Sequence, residues 1–349
     1  MRHTIQNCRK VALGIVAVAC GISLIACSPV SKTDVNFSAK DVSAAETAQP
    51  SITFEGNPPN WAETATTVMS DLEEWRNLSF NSDLQVTFQP VEDANLSGWY
   101  DSATKQLVVS TTSRSETFGR GVLLHEIFHA LQDQNFDLYQ LRLQSLENPD
   151  ADRALSAIIE GEAMLAVSEL MNYDFLAHAK LPLEGDIEES LFENIFLYGA
   201  GLKFIQAVRE DGGWTAVNQV FQSPPQATTL ILNPEQYLAG ERQAQAIAIP
   251  LEAGETLQSE RTRGEYEVQW LVAQQAETRP LLAQIDAGYV GDRLGIVSTD
   301  NTTVHRWVIE FQDADIAEAL VEGFRTALSA EASGQKTITT AQNSIVVEW

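Results

Sequence analysis

His125 and His129 stand four residues apart within a stretch, 122–148, that contains no Gly and no Pro. An apolar-rich run of that length without either breaker reads as a helix, placed here over about 119–134. On a helix, residues four apart project from one face about one turn from each other. That spacing brings two imidazole nitrogens to one tetrahedral zinc, whose Zn–N bonds are about 2.0–2.1 Å. Glu126 would stand beside such a metal rather than on it, where a carboxylate takes a proton from metal-bound water. The chain has five His, and two of them lie here, among Val122, Leu123, Leu124, Ile127, Phe128, Ala130 and Leu131. The pattern suggests an amphipathic helix with its ligands on the side of a cleft.

A catalytic zinc takes three protein ligands and keeps one position open, so another element must supply the third. The stretch Ile158-Ile159-Glu160-Gly161-Glu162-Ala163 places two acids in apolar surroundings, on a helix expected over 152–173. An ionised carboxylate is costly to bury unless a metal or a cation compensates. Glu160 and Glu162 point about 200° apart on a helix, so only one can face the metal. Periodicity does not choose between them. Ala157, Ala163, Met164 and Val167 neighbour the first, and Ile158, Ile159, Leu165 and Ala166 neighbour the second.

This combination resembles the gluzincins, His-Glu-x-x-His metallopeptidases whose third ligand is a glutamate. Their aminopeptidase-type members carry Glu-Gly-x-Ala on the second helix, and its first Glu binds zinc; Glu160-Gly161-Glu162-Ala163 matches that pattern. The resemblance implies His125, His129 and Glu160 as zinc ligands and Glu126 as the base, with Glu162 as the alternative ligand. The run His125 to Leu138, with Gly212-Gly213-Trp214, Ser223-Pro224-Pro225 and Gly291-Asp292-Arg293, is similar to a family of bacterial and archaeal gluzincin-like proteins over most of 60–330. Gluzincins commonly stabilise the tetrahedral intermediate with a Tyr or His from outside the zinc helix, a role worth about 2.7–4 kcal/mol. Tyr198, on a third helix expected over 191–210, is the candidate here, with His178 and His305 behind it. Asp133, one turn past His129, is a candidate to hold a ligand's second nitrogen. Where the family tends to read Ser-Thr-Glu-Gln-x-x-His-Pro, this chain has Thr229 and Asn233 at the Glu and His positions. The resemblance also implies that the strand before the zinc helix, around Trp99-Tyr100 and Val108-Val109, pairs with an extended substrate backbone.

The N-terminus addresses the chain to a membrane. Arg2, Arg9 and Lys10 precede an apolar run, 11–25, of the length of a signal-peptide core and short for a membrane span. Leu24-Ile25-Ala26-Cys27 resembles the bacterial lipobox, which implies cleavage after residue 26 and lipid attachment at Cys27. Ser28, where an Asp would retain the protein at the inner membrane of enterobacteria, favours the outer membrane. Cys8 and Cys20 lie in the segment removed, so no disulfide is expected in the mature chain. Its charge, 19 Lys+Arg against 48 Asp+Glu or about −29, excludes nucleic acid as the main ligand.

The organisation read from the sequence is a signal peptide over 1–26, a lipidated Cys and polar tether over 27–51, a zincin-like metallopeptidase domain over 52–250, and a C-terminal α+β portion over 251–349 packed on it. The class is α+β. A helix is expected over 61–78, strands at 84–88, 99–100 and 107–109, and a break at Gly212-Gly213. Beyond these come a helix at 265–276, strands at 294–298 and 304–311, a helix at 316–328 and a last strand at 345–347. Two functions fit: an envelope-anchored zinc peptidase acting on peptides or proteins, or a catalytically weak or inactive relative used in binding or assembly.

Overall fold

The computed structural model describes residues 50–91, 97–112, 115–329 and 336–349. The expected signal segment, Cys27 and most of the expected tether lie outside the described residues. Among the described residues no helix is long and apolar enough to cross a membrane.

The fold is mixed α+β. A first sheet is built from β1 (Ile52–Gly56), β2 (Leu84–Gln89), β3 (Gly98–Asp101) and β4 (Gln106–Ser110), in the order β1-β2-β4-β3. β1, β2 and β4 run parallel, while β3 is antiparallel to β4 and forms an edge. β2 buries Leu84, Val86 and Phe88 on one face, as its alternation requires. The β3–β4 turn is closed by Asp101, whose Oδ1 accepts the N–H groups of Ala103 and Thr104 at 2.8 and 3.1 Å. Between β1 and β2 runs α1 (Ala65–Arg76), preceded by a 3-10 turn over Asn60–Thr64. Its buried stripe is Ala65, Met69, Leu72 and Arg76, spaced at three and four residues. Trp61, Val68 and Trp75, at neighbouring three- and four-residue steps, are only partly buried.

α2 (Glu116–Phe136) packs against the sheet and against α1; Ser115 caps it by accepting the N–H of Phe118 at 3.3 Å. Every residue from Val122 to Asp133 is buried. The expected amphipathic helix is therefore a central one, covered on all sides. Asp137, at φ 52°, ends α2 and caps α3 (Leu138–Ser145). α4 (Pro149–Leu170) starts with Asn148 as cap and Pro at its first position, with Asp150 and Asp152 in its first turn.

The third helix expected from sequence is three segments: α5 (Glu189–Asn194), a π-helical turn over Ile195–Ala200, and α6 (Gly201–Gln222). Its backbone leaves the helical region at Gly212 and Gly213, as the Gly pair suggested, and then resumes through Trp214 and Asn218. α4 and α6 meet backbone to backbone. A Cβ at Gly161 would lie 2.1 Å from the Gly201 carbonyl carbon, and one at Gly201 would lie 2.0 Å from the Ala157 oxygen. Gly161 serves this crossing, beside which the turn carrying Tyr198 packs against α4. Gly161→Ala should cost about 3 kcal/mol by overpacking. A denaturation midpoint equal to wild type would contradict the contact.

Two short helices, α7 (Thr229–Leu232) and α8 (Pro234–Leu238), lead to the second part. There β5 (Thr256–Arg261), α9 (Glu265–Ala273), α10 (Leu282–Gly288), β6 (Tyr289–Ser298), β7 (Thr303–Phe311), α11 (Ala314–Ser329), β8 (Thr337–Ala341) and β9 (Ser344–Glu348) follow in order. The strands form an antiparallel sheet, β5-β6-β7-β9-β8, with α11 against β7, β8 and β9. Two hydrophobic cores meet at α9. Tyr266 and Ala273 belong to the first core, and Val268, Leu271 and Val272 to the second. The junction is pinned by Asp292, which accepts from the backbone of Arg263 and Gly264, from the Tyr289 hydroxyl and from the Trp307 indole, all at 2.7–2.9 Å. Asp292 is thus a buried structural anchor.

Candidate metal centre

The middle of α2 and the middle of α4 lie side by side, and their facing side chains converge. His125 Nε2 lies 3.1 Å from Glu160 Oε2, His129 Nε2 lies 3.3 Å from the same oxygen, and the two Nε2 atoms are 2.8 Å apart. All three residues are buried. Among the described residues this is the group of His, Cys, Asp or Glu with ligand atoms close enough to share a metal ion. Donors on one tetrahedral zinc, at about 2.0–2.1 Å each, stand about 3.3 Å apart, so the spacing fits. Converging lone pairs repel unless a cation lies among them. The group can hold a metal ion.

The charges describe the same demand. At His129 burial opposes an imidazolium, but the charge and hydrogen bond of Glu160 outweigh it, helped by Glu126 and Gln132, and push the ring up to about 9. At His125 burial and the neighbouring His129 imidazolium both act downward, to about 4. Burial alone would raise the Glu160 carboxyl. The His129 imidazolium and the hydrogen bonds of both rings overcome that and hold it below the usual carboxylate range. One positive charge belongs in this site, and a proton is its smallest carrier.

Glu126 is fully buried, and neither of its oxygens has a hydrogen-bond partner among the described residues. Burial pushes its carboxyl up to about 8; the His129 charge pulls against this and that of Glu160 adds to it. It lies under the edge strand, where a Cβ at Gly98 would be 3.1 Å from its Cγ. A buried carboxyl beside a cation site is able to take up or release a proton.

Glu162 turns away from this point. It forms a buried ion pair with Arg76 Nε, so Glu160 is the acid of the pair that joins the histidines. Asp133 does not hold a ligand ring. It accepts from Tyr100 Oη at 2.7 Å, Lys105 Nζ at 2.6 Å and the Leu138 N–H at 3.0 Å. The ring contact belongs to Gln132, whose Oε1 lies 2.9 Å from His129 Nδ1. Gln132 and Arg76 escaped the sequence reading, although Arg76 stands on a buried stripe and Gln132 three residues past His129.

Tyr198 is buried in the π-helical turn, its ring centre 6.2 Å from that of His125 and edge-on to it. Such turns recur at functional sites. His178 is exposed and stacked on Tyr173, and His305 lies in the second sheet stacked on Trp349. Neither belongs to the cluster. Asn233 bonds to the Thr229 carbonyl at 3.1 Å and to Glu265 Oε2 at 3.2 Å, so Thr229 and Asn233 are tied to the junction with α9.

No protein-family model, no curated protein and no solved structure matches this chain.

Proposed function

We propose that the protein is a zinc-dependent peptidase of gluzincin type, lipidated at Cys27 and held in the bacterial cell envelope, with the outer membrane favoured. The observation that carries the reading is the convergence of His125, His129 and Glu160 on one point, with the unbonded carboxyl of Glu126 beside it. The two Nε2 atoms and Glu160 Oε2 would hold the zinc. Bound there, zinc would supply an acidified water and polarise a peptide carbonyl.

The chain's own groups would do the rest. Glu126 would accept a proton from the attacking water and return it to the leaving amine. β3 is an edge strand lying over Glu126, and its main chain is suited to pair with an extended peptide. Tyr198 would donate to the oxyanion from the opposite helix. The departures at Thr229 and Asn233 favour a second reading, a scaffold that holds the metal without turnover.

Metal content tests the proposal. Purified protein is expected to hold one tightly bound zinc, and Glu160→Gln to weaken it by at least about tenfold, the scale on which groups around a metal act. Wild-type protein that takes up no zinc at micromolar concentration would sink both readings of the site. Zinc uptake without hydrolysis of any peptide in a library would favour the scaffold.

A further inference from the structure

We propose that Arg76, Glu162 and Gln132 form a positioning relay that fixes the proton of His129 on Nδ1 and leaves the Nε2 lone pair for the metal. The inference rests on the metal-centre reading above and deepens it. Three fully buried groups that touch neither substrate nor metal are joined end to end. Gln132 Oε1 lies 2.9 Å from His129 Nδ1, while Gln132 Nε2 lies 3.1 Å from the Ile159 carbonyl oxygen and 2.8 Å from Glu162 Oε2.

Which end of an amide is oxygen is settled by its neighbours. The Ile159 carbonyl can only accept. Glu162 Oε1 is paired with Arg76 Nε, so its other oxygen also acts as an acceptor. Two acceptors require the NH2 of Gln132 on their side. Its oxygen is then turned to His129, and because that oxygen cannot donate, Nδ1 must carry the hydrogen.

Arg76 is held in turn. Its Nη2 donates to Asn218 Oδ1 at 2.7 Å, and its guanidinium lies 4.5 Å from the centre of the Trp214 ring. Both partners come from the part of α6 beyond the Gly212-Gly213 break. A buried ion pair adds little stability compared with apolar side chains of the same volume. Its effect here is orientation: the charge of Arg76 fixes Glu162, Glu162 fixes the amide, and the amide fixes the ring.

The test uses the full chain with zinc as the probe and two readouts. The first is zinc affinity by chelator competition. The second is the exchange rate of the His129 Nδ1–H proton in nitrogen-15-labelled protein, measured with and without zinc. Wild type is expected to show a slowly exchanging Nδ1–H in both forms. In Glu162→Gln the new amide can donate to Gln132 and let it turn over, so zinc affinity should fall about 10–100-fold and the slow proton should disappear.

Gln132→Met is the second variant: it matches the side chain in length, leaves Arg76 paired with Glu162, and gives Nδ1 no acceptor. It is expected to lose the slow proton and to weaken zinc binding about 10–100-fold. Wild-type affinity and a slow proton in folded Glu162→Gln would overturn the relay, as would a folded Gln132→Met that keeps both. If wild type binds no zinc, the metal reading fails by itself, and the ring proton in the metal-free proteins still decides the relay.

Discussion

Glu126→Gln is expected to lower peptide hydrolysis about 10²–10⁴-fold, the usual contribution of a positioned general base, with zinc still bound. The substitution is sterically silent, since amide and carboxyl have the same shape. That matters beneath β3, where a Cβ at Gly98 would stand 2.7 Å from Val122 Cγ1 and 3.1 Å from Glu126 Cγ. Neither Glu126 oxygen has a close hydrogen-bond partner among the described residues, and the backbone group that favours its ionised form is the Tyr100 N–H. A fully buried carboxyl pushed up to about 8 by its surroundings gains nothing for the fold by ionising. The variant should therefore be at least as stable as wild type. Activity measured on the zinc-loaded protein decides the matter. Undiminished turnover would remove Glu126 from the chemistry, and loss of zinc would mean that Glu126 is a ligand rather than a base.

The second large effect is on stability. Between about pH 4 and pH 8 the fold should weaken as the pH rises, through Asp150 and Glu265 at the junction of the two cores. Burial pushes Asp150 up to about 7, with Asp292 adding to it and the hydrogen bonds from Thr228 opposing. Burial likewise pushes Glu265 up to about 8, with Asp286 adding to it. In an unfolded chain such groups titrate near 3.9 and 4.3. Over the interval between, the folded state holds more protons than the unfolded one, so the unfolding free energy falls with pH. At 1.36 kcal/mol per pH unit of difference, each group contributes on the order of 4 kcal/mol across the window.

Geometry explains why these groups cannot simply move apart. Asp150 Oδ1 accepts from the Thr228 backbone at 3.0 Å and from its hydroxyl at 2.6 Å, while Oδ2 is buried without a partner among the described residues. Gly264, at φ 91°, presses so close that a Cβ there would lie 1.8 Å from Asp150 Oδ1. Asp150→Asn keeps the acceptor for Thr228 and removes the ionisation. Its denaturation midpoint should exceed that of wild type by much more at pH 8 than at pH 4.5, where most of the difference has gone. A difference of the same size at both pH values would rule out this origin.

Much of the fold was legible because local pattern and tertiary environment agree. β2 alternates and buries alternate residues; Asp101 to Lys105 has the residues of a turn and closes one; the stretch without Gly or Pro from 122 is helical, divided at Asp137 into α2 and α3. β1, α3, β5, α10 and β8 were not anticipated. β5 exposes all but one of its six residues, so no apolar alternation marks it and it exists by pairing with β6. The single helix expected over 191–210 became α5, a π-helical turn and α6, because the close approach of Gly201 to Ala157 and Gly161 is a contact between distant parts of the chain.

For the site, residue types and spacing were enough to select His125, Glu126 and His129, since two imidazoles one turn apart on a helix share a face wherever that helix is packed. Which acid joins them lay beyond periodicity, because Glu160 and Glu162 have equally apolar neighbours along the chain. Arg76, 86 residues before Glu162 in sequence, takes that acid into an ion pair and leaves Glu160 to the histidines. In the same way Lys105 and Tyr100 occupy Asp133, so Gln132 meets the His129 ring. Spacing within one helix is a property of the chain alone. The partner of a buried charge is decided by which distant side chain the fold brings within hydrogen-bonding range, because only that partner offsets the cost of its desolvation.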